Sequence, residues 1–385
     1  MEQNTKLIKE NLELKKLNLN TNNDYILHLN NQLKEKEERK EERKEEEIKN
    51  EIKNEINEEK NDISEIIKKD LFIKDAFCDY YINNSFCVFT SLNSQIIIVY
   101  STKDYSLNFM DIEKESILKI IEKAHTKNIT NIRYFLDTIN KRDLILSISK
   151  EIPEIKIWNL SNFECLLKLS KIYKKGEIYS SCILNRNNKN YILVSNYDKS
   201  ATFPIYIFDF SIKKSLLNQS NDKIYYIDSF INEHKNISKA YVITANETCI
   251  KSYDFDNNYL YKKYVEINEH SSHLYFIVYI INDVINLIES DNLGMIRIWN
   301  FEKAILLKKI NISKNKIIDI CFWDKSYIFT VTENEGIFLV NTDNKQIKKR
   351  IYEKDICSIK KLGNCLLSQD KNNGIKTAFK GKIYD

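Results

Sequence analysis

Glycine and proline are almost missing. The 385 residues hold six glycines and two prolines, where ordinary usage would supply roughly 27 and 19. So little glycine excludes the backbone loops that cradle phosphate, because their tight turns need residues free to take positive φ. Neither a GxGxxG stretch nor a GKT or GKS loop occurs, and there is no GxSxG nucleophile elbow. No two cysteines form a CxxC. Asparagine, lysine and isoleucine are heavily used instead, so Asn and Asp must mark the turns.

Long apolar runs are missing too. Residues 271–290 read SSHLYFIVYIINDVINLIES, but Asn282-Asp283 cuts the run well short of the about 20 residues a spanning helix needs. The stretch reads as two buried strands joined by an Asn-Asp turn, and no transmembrane segment is expected. The opening MEQNTKLIKE has no apolar signal region. Eight cysteines stand at 78, 87, 165, 182, 249, 321, 357 and 365, mostly inside apolar runs such as CVF and CIL. The expectation is buried, reduced thiols and a cytoplasmic protein, with the nucleus as the other compartment.

A strong charge of either sign is lacking, since the formal net charge is only +4. That balance excludes a surface that is basic all round. It is also a sum of two unlike parts. Residues 1–70 carry 15 Lys/Arg against 19 Asp/Glu and contain no Trp, Phe, Cys, Gly or Pro; the rest carries 44 against 36. The arm is −4 and the body +8. In the arm, Leu12, Leu19, Ile26 and Leu33 recur every seven residues, and Ile52, Ile56, Ile63 and Ile66 step by four and three. Glu35 with Arg39 and Glu45 with Lys49 are favourable i,i+4 pairs. Residues 34–47 offer no apolar seam. Residues 1–69 therefore read either as a coiled-coil arm that self-associates or as a solvated, partly disordered helix.

From residue 71 the apolar period falls to two. Short runs such as QIIIVYS (95–101), DLILS (143–147), YVIT (241–244) and IFTV (328–331) alternate with Asn/Asp/Lys-rich turns. β-Branched and aromatic residues in this pattern mean strands, so the body is expected to be all-β. The strands repeat. Glu154-Ile-Lys-Ile-Trp158-Asn159 and Met295-Ile-Arg-Ile-Trp299-Asn300 match closely, with weaker copies ending at Asp111, Asp209, Asp254, Asn341 and about residue 378. Successive copies lie 48, 50, 45, 46, 41 and about 37 residues apart. A period near 44 with several short strands per unit is the signature of propeller blades.

The pattern over residues 70–385 resembles the WD40 repeat family, with Trp-Asn standing where the family has Trp-Asp. The resemblance implies a β-propeller, and the seven third-strand positions make it seven-bladed, with six or eight blades as the other counts. The last blade would lack its outer strand, which Asp70–Phe77 could supply, closing the ring. It also implies a hydrogen-bonded set within each blade, made of a His before the first strand, a turn Asp, a Ser or Thr on the second strand and the Trp. The matching residues are His270, Asp283 and Ser290 around Trp299, and His125 and Ser147 around Trp158, with Asp143 a weaker match. No Gly precedes either His; Ala124 and Glu269 stand there.

Catalytic chemistry has little to stand on. His270-Ser-Ser-His273 has no cysteine or carboxylate cluster beside it, so no metal is expected, and no cofactor. Basic clusters occur at 171–175, Lys308-Lys309, Lys348–Arg350 and Lys360-Lys361. The expectation is a non-catalytic scaffold, not an enzyme, whose loop faces hold partner proteins in a complex while the N-terminal segment oligomerises or tethers it. The alternative is a propeller that binds RNA or an anionic, phosphoinositide-bearing membrane, motivated by the +8 body.

Overall fold

The computed structural model describes residues 72–73, 86–149, 154–170, 178–195, 205–209, 212–215, 224–233, 238–266, 272–281, 283–351, 355–363, 365–370 and 374–380. The expected arm over residues 1–69 lies outside them. The chain divides into two units, Met1–Asp62 and Ile63–Asp385, and the strands below all belong to the second.

The short strand β1 (Phe72–Ile73) precedes the first blade, built from β2 (Phe86–Thr90), β3 (Ile96–Ser101), β4 (Leu107–Asp111) and β5 (Ser116–Ile121). The second blade is β6 (Ile129–Asp137), β7 (Arg142–Ser149), β8 (Glu154–Asn159) and β9 (Cys165–Ser170). The third is β10 (Ser181–Arg186), β11 (Lys189–Ser195), β12 (Ile205–Asp209) and β13 (Ile212–Ser215). The fourth is β14 (Ile224–Asn232), β15 (Lys239–Asn246), β16 (Ile250–Asp254) and β17 (Tyr259–Tyr264). The fifth is β18 (His273–Ile281), β19 (Val284–Asp291), β20 (Met295–Asn300) and β21 (Ile305–Asn311). The sixth is β22 (Ile317–Phe322), β23 (Tyr327–Thr332), β24 (Gly336–Asn341) and β25 (Gln346–Ile351). Last come β26 (Ile356–Leu362), β27 (Cys365–Asp370) and β28 (Gly374–Lys380).

The architecture is all-β and propeller-like. Six blades each consist of four consecutive antiparallel strands, rather than seven blades alike. The remaining sheet is composite, in the order β1-β28-β27-β26, and its outer strand is held by two residues, Phe72 opposite Lys376 and Ile73 opposite Ile375. The first strands of successive sheets touch one another in turn, and β26 returns to touch β2. Every third-strand position read from the repeat falls on β4, β8, β12, β16, β20, β24 or β28.

Burial explains the sequence pattern. Second strands are covered on both faces by neighbouring sheets, so they read as unbroken apolar runs: Ile96–Ser101 and Tyr327–Thr332 are buried throughout. Outer strands face solvent, and Ser116–Ile121 is mostly exposed. The 271–290 run is indeed two strands, β18 and β19. No helix among the described residues is long and apolar enough to cross a membrane.

Scarce glycine leaves its mark on the turns. Fourteen non-glycine residues hold positive φ among those described, and six of them are Asn or Asp. The others include Lys141, Phe163 and Ala304. Asn and Asp therefore mark fewer than half of these turns. The left-handed region costs an ordinary residue about 1–2 kcal/mol, a cost the surrounding sheets offset. The cysteines differ from expectation in two ways: Cys165 on β9 is exposed rather than buried, and one is not a free thiol. Six are free, but Cys357 on β26 is disulfide-bonded, with its partner outside the described residues. Sequence spacing does not show which Cβ atoms a fold brings within bonding reach.

Candidate functional site

Around Trp158 the chain builds a continuous polar line inside the second blade. Ser147 sits on β7, and Trp158 two positions on across the β7–β8 pairing reaches back to it. The indole Nε1 donates to Ser147 Oγ at 2.8 Å, and Ser147 Oγ lies 2.7 Å from His125 Nε2. His125 Nδ1 comes within 3.1 Å of Glu154 Oε2, at an angle short of a proper hydrogen bond. Lys156 and Lys168 Nζ each lie 3.2 Å from the Glu154 carboxylate. Burial, and then the Lys156 charge, push the His125 imidazole down to about 3. The ring is therefore neutral, able to accept from Ser147 and to present Nδ1–H to Glu154. Burial opposes ionisation of Glu154, but the hydrogen bonds from Lys168 and Lys156 outweigh it and hold its carboxyl below the usual range.

Glu154 is the acidic member that sequence reasoning missed. Asp143, the residue proposed for that place, turns elsewhere, accepting from Leu92 N in the first blade at 3.0 Å and from Tyr134 Oη at 2.9 Å. The signal for Glu154 was weak, a carboxylate at the first position of the Trp strand.

The fifth blade departs from the expected set. His270 lies outside the described residues. Asp283 is an exposed turn residue at φ 62. Ser290 is buried, and its Oγ contacts Ile317 O of the next blade at 3.4 Å. Trp299 is buried with Nε1 lacking any hydrogen-bond partner. The cause is register. Across β19–β20, Trp299 faces Leu287 as Trp158 faces Ile145, so the counterpart of Ser147 is Glu289 and not Ser290. A shift of one residue in a strand moves a side chain to the other face. Glu289 Oε2 bonds His273 Nδ1 at 3.0 Å, and Arg297 Nη1 lies 3.5 Å from Glu289 Oε1 and 2.8 Å from Asp291 Oδ2. Arg297 Nε donates to Glu266 at 2.8 Å, so this blade replaces the serine line with a buried ion network.

Ser147, His125 and Glu154 share the connectivity of a nucleophile, base and orienting acid. They are sealed: Ser147 has no exposed surface, its hydroxyl already receives the Trp158 N–H, and the His125 ring is likewise buried. Among the described residues no cluster of three or more His, Cys, Asp or Glu side chains could hold a metal.

The first strands carry a second polar set. Arg133 on β6 reaches past β10 to β14, where Nη1 meets Asp228 Oδ1 at 3.1 Å and Nη2 donates to Tyr226 Oη at 3.0 Å. Burial works against the guanidinium charge, and Asp228 more than restores it. Further round, Asp319 on β22 accepts from Ser358 Oγ and Ile359 N at 2.9 Å, with Lys360 Nζ at 3.5 Å.

Open surface lies elsewhere. Between the first and second blades runs a groove of about 600 Å³. Its apolar walls are Leu92, Leu118, Leu160 and Phe163, and its floor and rim are hydroxyls, amides, Lys141 and Arg142. Two carboxylates shape it. Asp143 fixes the Leu92 turn, as above. Asp137 ties down the β6–β7 turn through Asn140 Nδ2 at 2.8 Å, Arg142 Nε at 2.8 Å and Asn190 Nδ2 at 3.0 Å. Burial opposes the Asp137 charge, yet these donors pull its carboxyl down to about 2. Held between Asn140 and Arg142, Lys141 points outward, exposed and with no ion-pair partner among the described residues.

Two of the four basic clusters are paired within the protein; those at 171–175 and Lys348–Arg350 lie outside the residues whose side chains are described. Lys308 binds Asp343 at 3.2 Å and Lys309 binds Glu266 at 3.0 Å. Lys360 faces Asp319, and Lys361 donates to Trp323 O.

No family model matches the chain, and no curated protein matches it. Among solved structures, the crystal structure of the computationally designed Ika8 protein is similar, with a TM-score of 0.52 and 12% identity over 79% of this chain and 99% of that one. At that identity the likeness bears on the fold alone, and it agrees with a propeller-like arrangement of small antiparallel sheets.

Proposed function

We propose that this chain is a non-catalytic protein-interaction scaffold of WD40-like kind, its composite sheet acting as a seventh blade. Propeller-like folds commonly serve as such scaffolds, and function is argued from the site they carry. The observation that carries the reading is the groove between the first two blades. Two buried carboxylates hold its turns in place, and Leu92 is presented to solvent, 49% exposed, on a backbone that Asp143 clamps. A rigid apolar side chain at a groove rim is what a partner protein can cover. The reaction-like residues Ser147, His125 and Glu154 are sealed, which favours binding over catalysis. Internal pairing withdraws Lys308, Lys309, Lys360 and Lys361 from the alternative reading as an RNA or anionic-membrane binder, which needs several free cations on one face. In this reading residues 1–69 oligomerise or tether the protein, on the strength of their heptads alone.

Proximity labelling in the native cell tests the proposal, run with the full chain and with Leu92→Glu. Leu92 is exposed, so the variant should fold with an unchanged Tm. Loss of a defined subset of labelled proteins is the expected result. An identical labelled set for both chains would remove the groove as the docking face.

A further inference from the structure

A second groove repeats the construction of the first. About 350 Å³ lies between the fifth and sixth blades, walled by Tyr279, Ile281, Val284 and Leu307. Each groove is made from the first turn and outer strand of one blade and from the first and last turns of the next. In both, the next blade's first turn supplies an exposed lysine, Lys141 in one and Lys325 in the other, with no ion-pair partner among the described residues. The carboxylates nearby are already committed. Asp143 holds Leu92 N and Tyr134, Asp137 holds its own turn, and Asp343 holds Ser326 Oγ at 2.6 Å and Lys308. What remains for a ligand is an apolar trough beside one free cation.

We propose that the larger groove takes a short acidic peptide segment of a partner protein, with a bulky apolar side chain between Leu92, Leu118 and Phe163 and a carboxylate on Lys141 Nζ. This rests on the scaffold reading and names its ligand class. A volume near 600 Å³ suits two or three side chains. Charge complementarity selects acid over base, since residues 71–385 carry 44 basic against 36 acidic residues. A phosphate backbone would want several converging cations and no apolar walls.

Fluorescence anisotropy with the full chain decides it, using three labelled ten-residue probes: EEELFEESGS, its basic counterpart KKKLFKKSGS, and the apolar-free EEESSEESGS. The expected result is that the first binds at least tenfold tighter than the other two. Lys141→Glu should weaken it about fivefold, as removal of one exposed pair plus like-charge repulsion requires, and 0.5 M salt should do much the same. Leu92→Glu should weaken it about tenfold. Equal binding of the basic probe, or binding indifferent to both substitutions, overturns the proposal. Tighter binding to poly(U) or to phosphatidylserine vesicles, lost in Lys141→Glu, also overturns it and names a phosphate ligand instead. If no probe binds while Leu92→Glu still removes labelled partners in the cell, the acidic-apolar class fails and the scaffold reading stands. If neither assay responds to the groove substitutions, both fail.

Discussion

Acidification should expose His125. Its ring is fully buried and held at about 3 by burial and by Lys156, against an ordinary 6.5. Between those values the unfolded chain takes up a proton that the folded chain refuses. Unfolding is therefore favoured as pH falls: the stability tied to this ring is whole above pH 6.5 and is lost progressively from 6.5 down to 3. At pH 5 the gap used is about 1.5 units, or about 2 kcal/mol. For a body of this size that is about 4 °C in Tm. The perturbation that isolates it is His125→Gln, which keeps a polar group beside Ser147 and does not titrate. The variant should lose about 1–2 kcal/mol at pH 7 through weakened hydrogen bonds. From pH 7 to pH 5 it should then lose about 2 kcal/mol less than the wild type. Urea melts of both proteins at the two pH values give that double difference. Equal losses for wild type and variant would refute the assignment of a buried, neutral imidazole.

Three substitutions test other parts of the argument. Arg297→Met strands Glu289 and Asp291 inside the fifth blade, and urea denaturation should show a loss of about 3–5 kcal/mol. Gly294 has φ +77, and a Cβ there would meet the Ser313 and Asn315 carbonyl oxygens, so Gly294→Ala should cost about 2–4 kcal/mol in the same assay. Ala304 holds φ 53 at the β20–β21 turn. Ala304→Gly should raise stability by about 1 kcal/mol, read as a higher urea midpoint; an unchanged or lowered midpoint would contradict the strain argument.

The blade register was legible because burial acts on strands through a period of two. Second strands covered on both faces left unbroken runs such as IIIVYS, and the third strands recurred at a spacing the propeller imposes. The Trp158 line was partly legible, since His125 and Ser147 stood at workable offsets. Its acidic member was not. Asp143 and Glu154 flank the same strand pair, and only the direction in which Asp143 leaves β7, toward Leu92 and Tyr134, decides between them. The fifth blade failed by one residue: Ser290 and Glu289 are neighbours in sequence but face opposite sides of β19.

The sequence by itself showed that no GxGxxG, GKT or GKS stretch is present, and its apolar period of two marked the described segments from residue 86 onward as strands. Composition also split the near-neutral total into an acidic segment and a basic remainder. Only the tertiary structure decided which lysines are free. Lys308, Lys309, Lys360 and Lys361 count as basic in sequence, yet each is bonded by a group from a distant turn or strand. Lys141 and Lys325 look no different from them in the sequence. Their freedom follows from how adjacent blades meet, because pairing depends on distances across the fold and not on order along the chain.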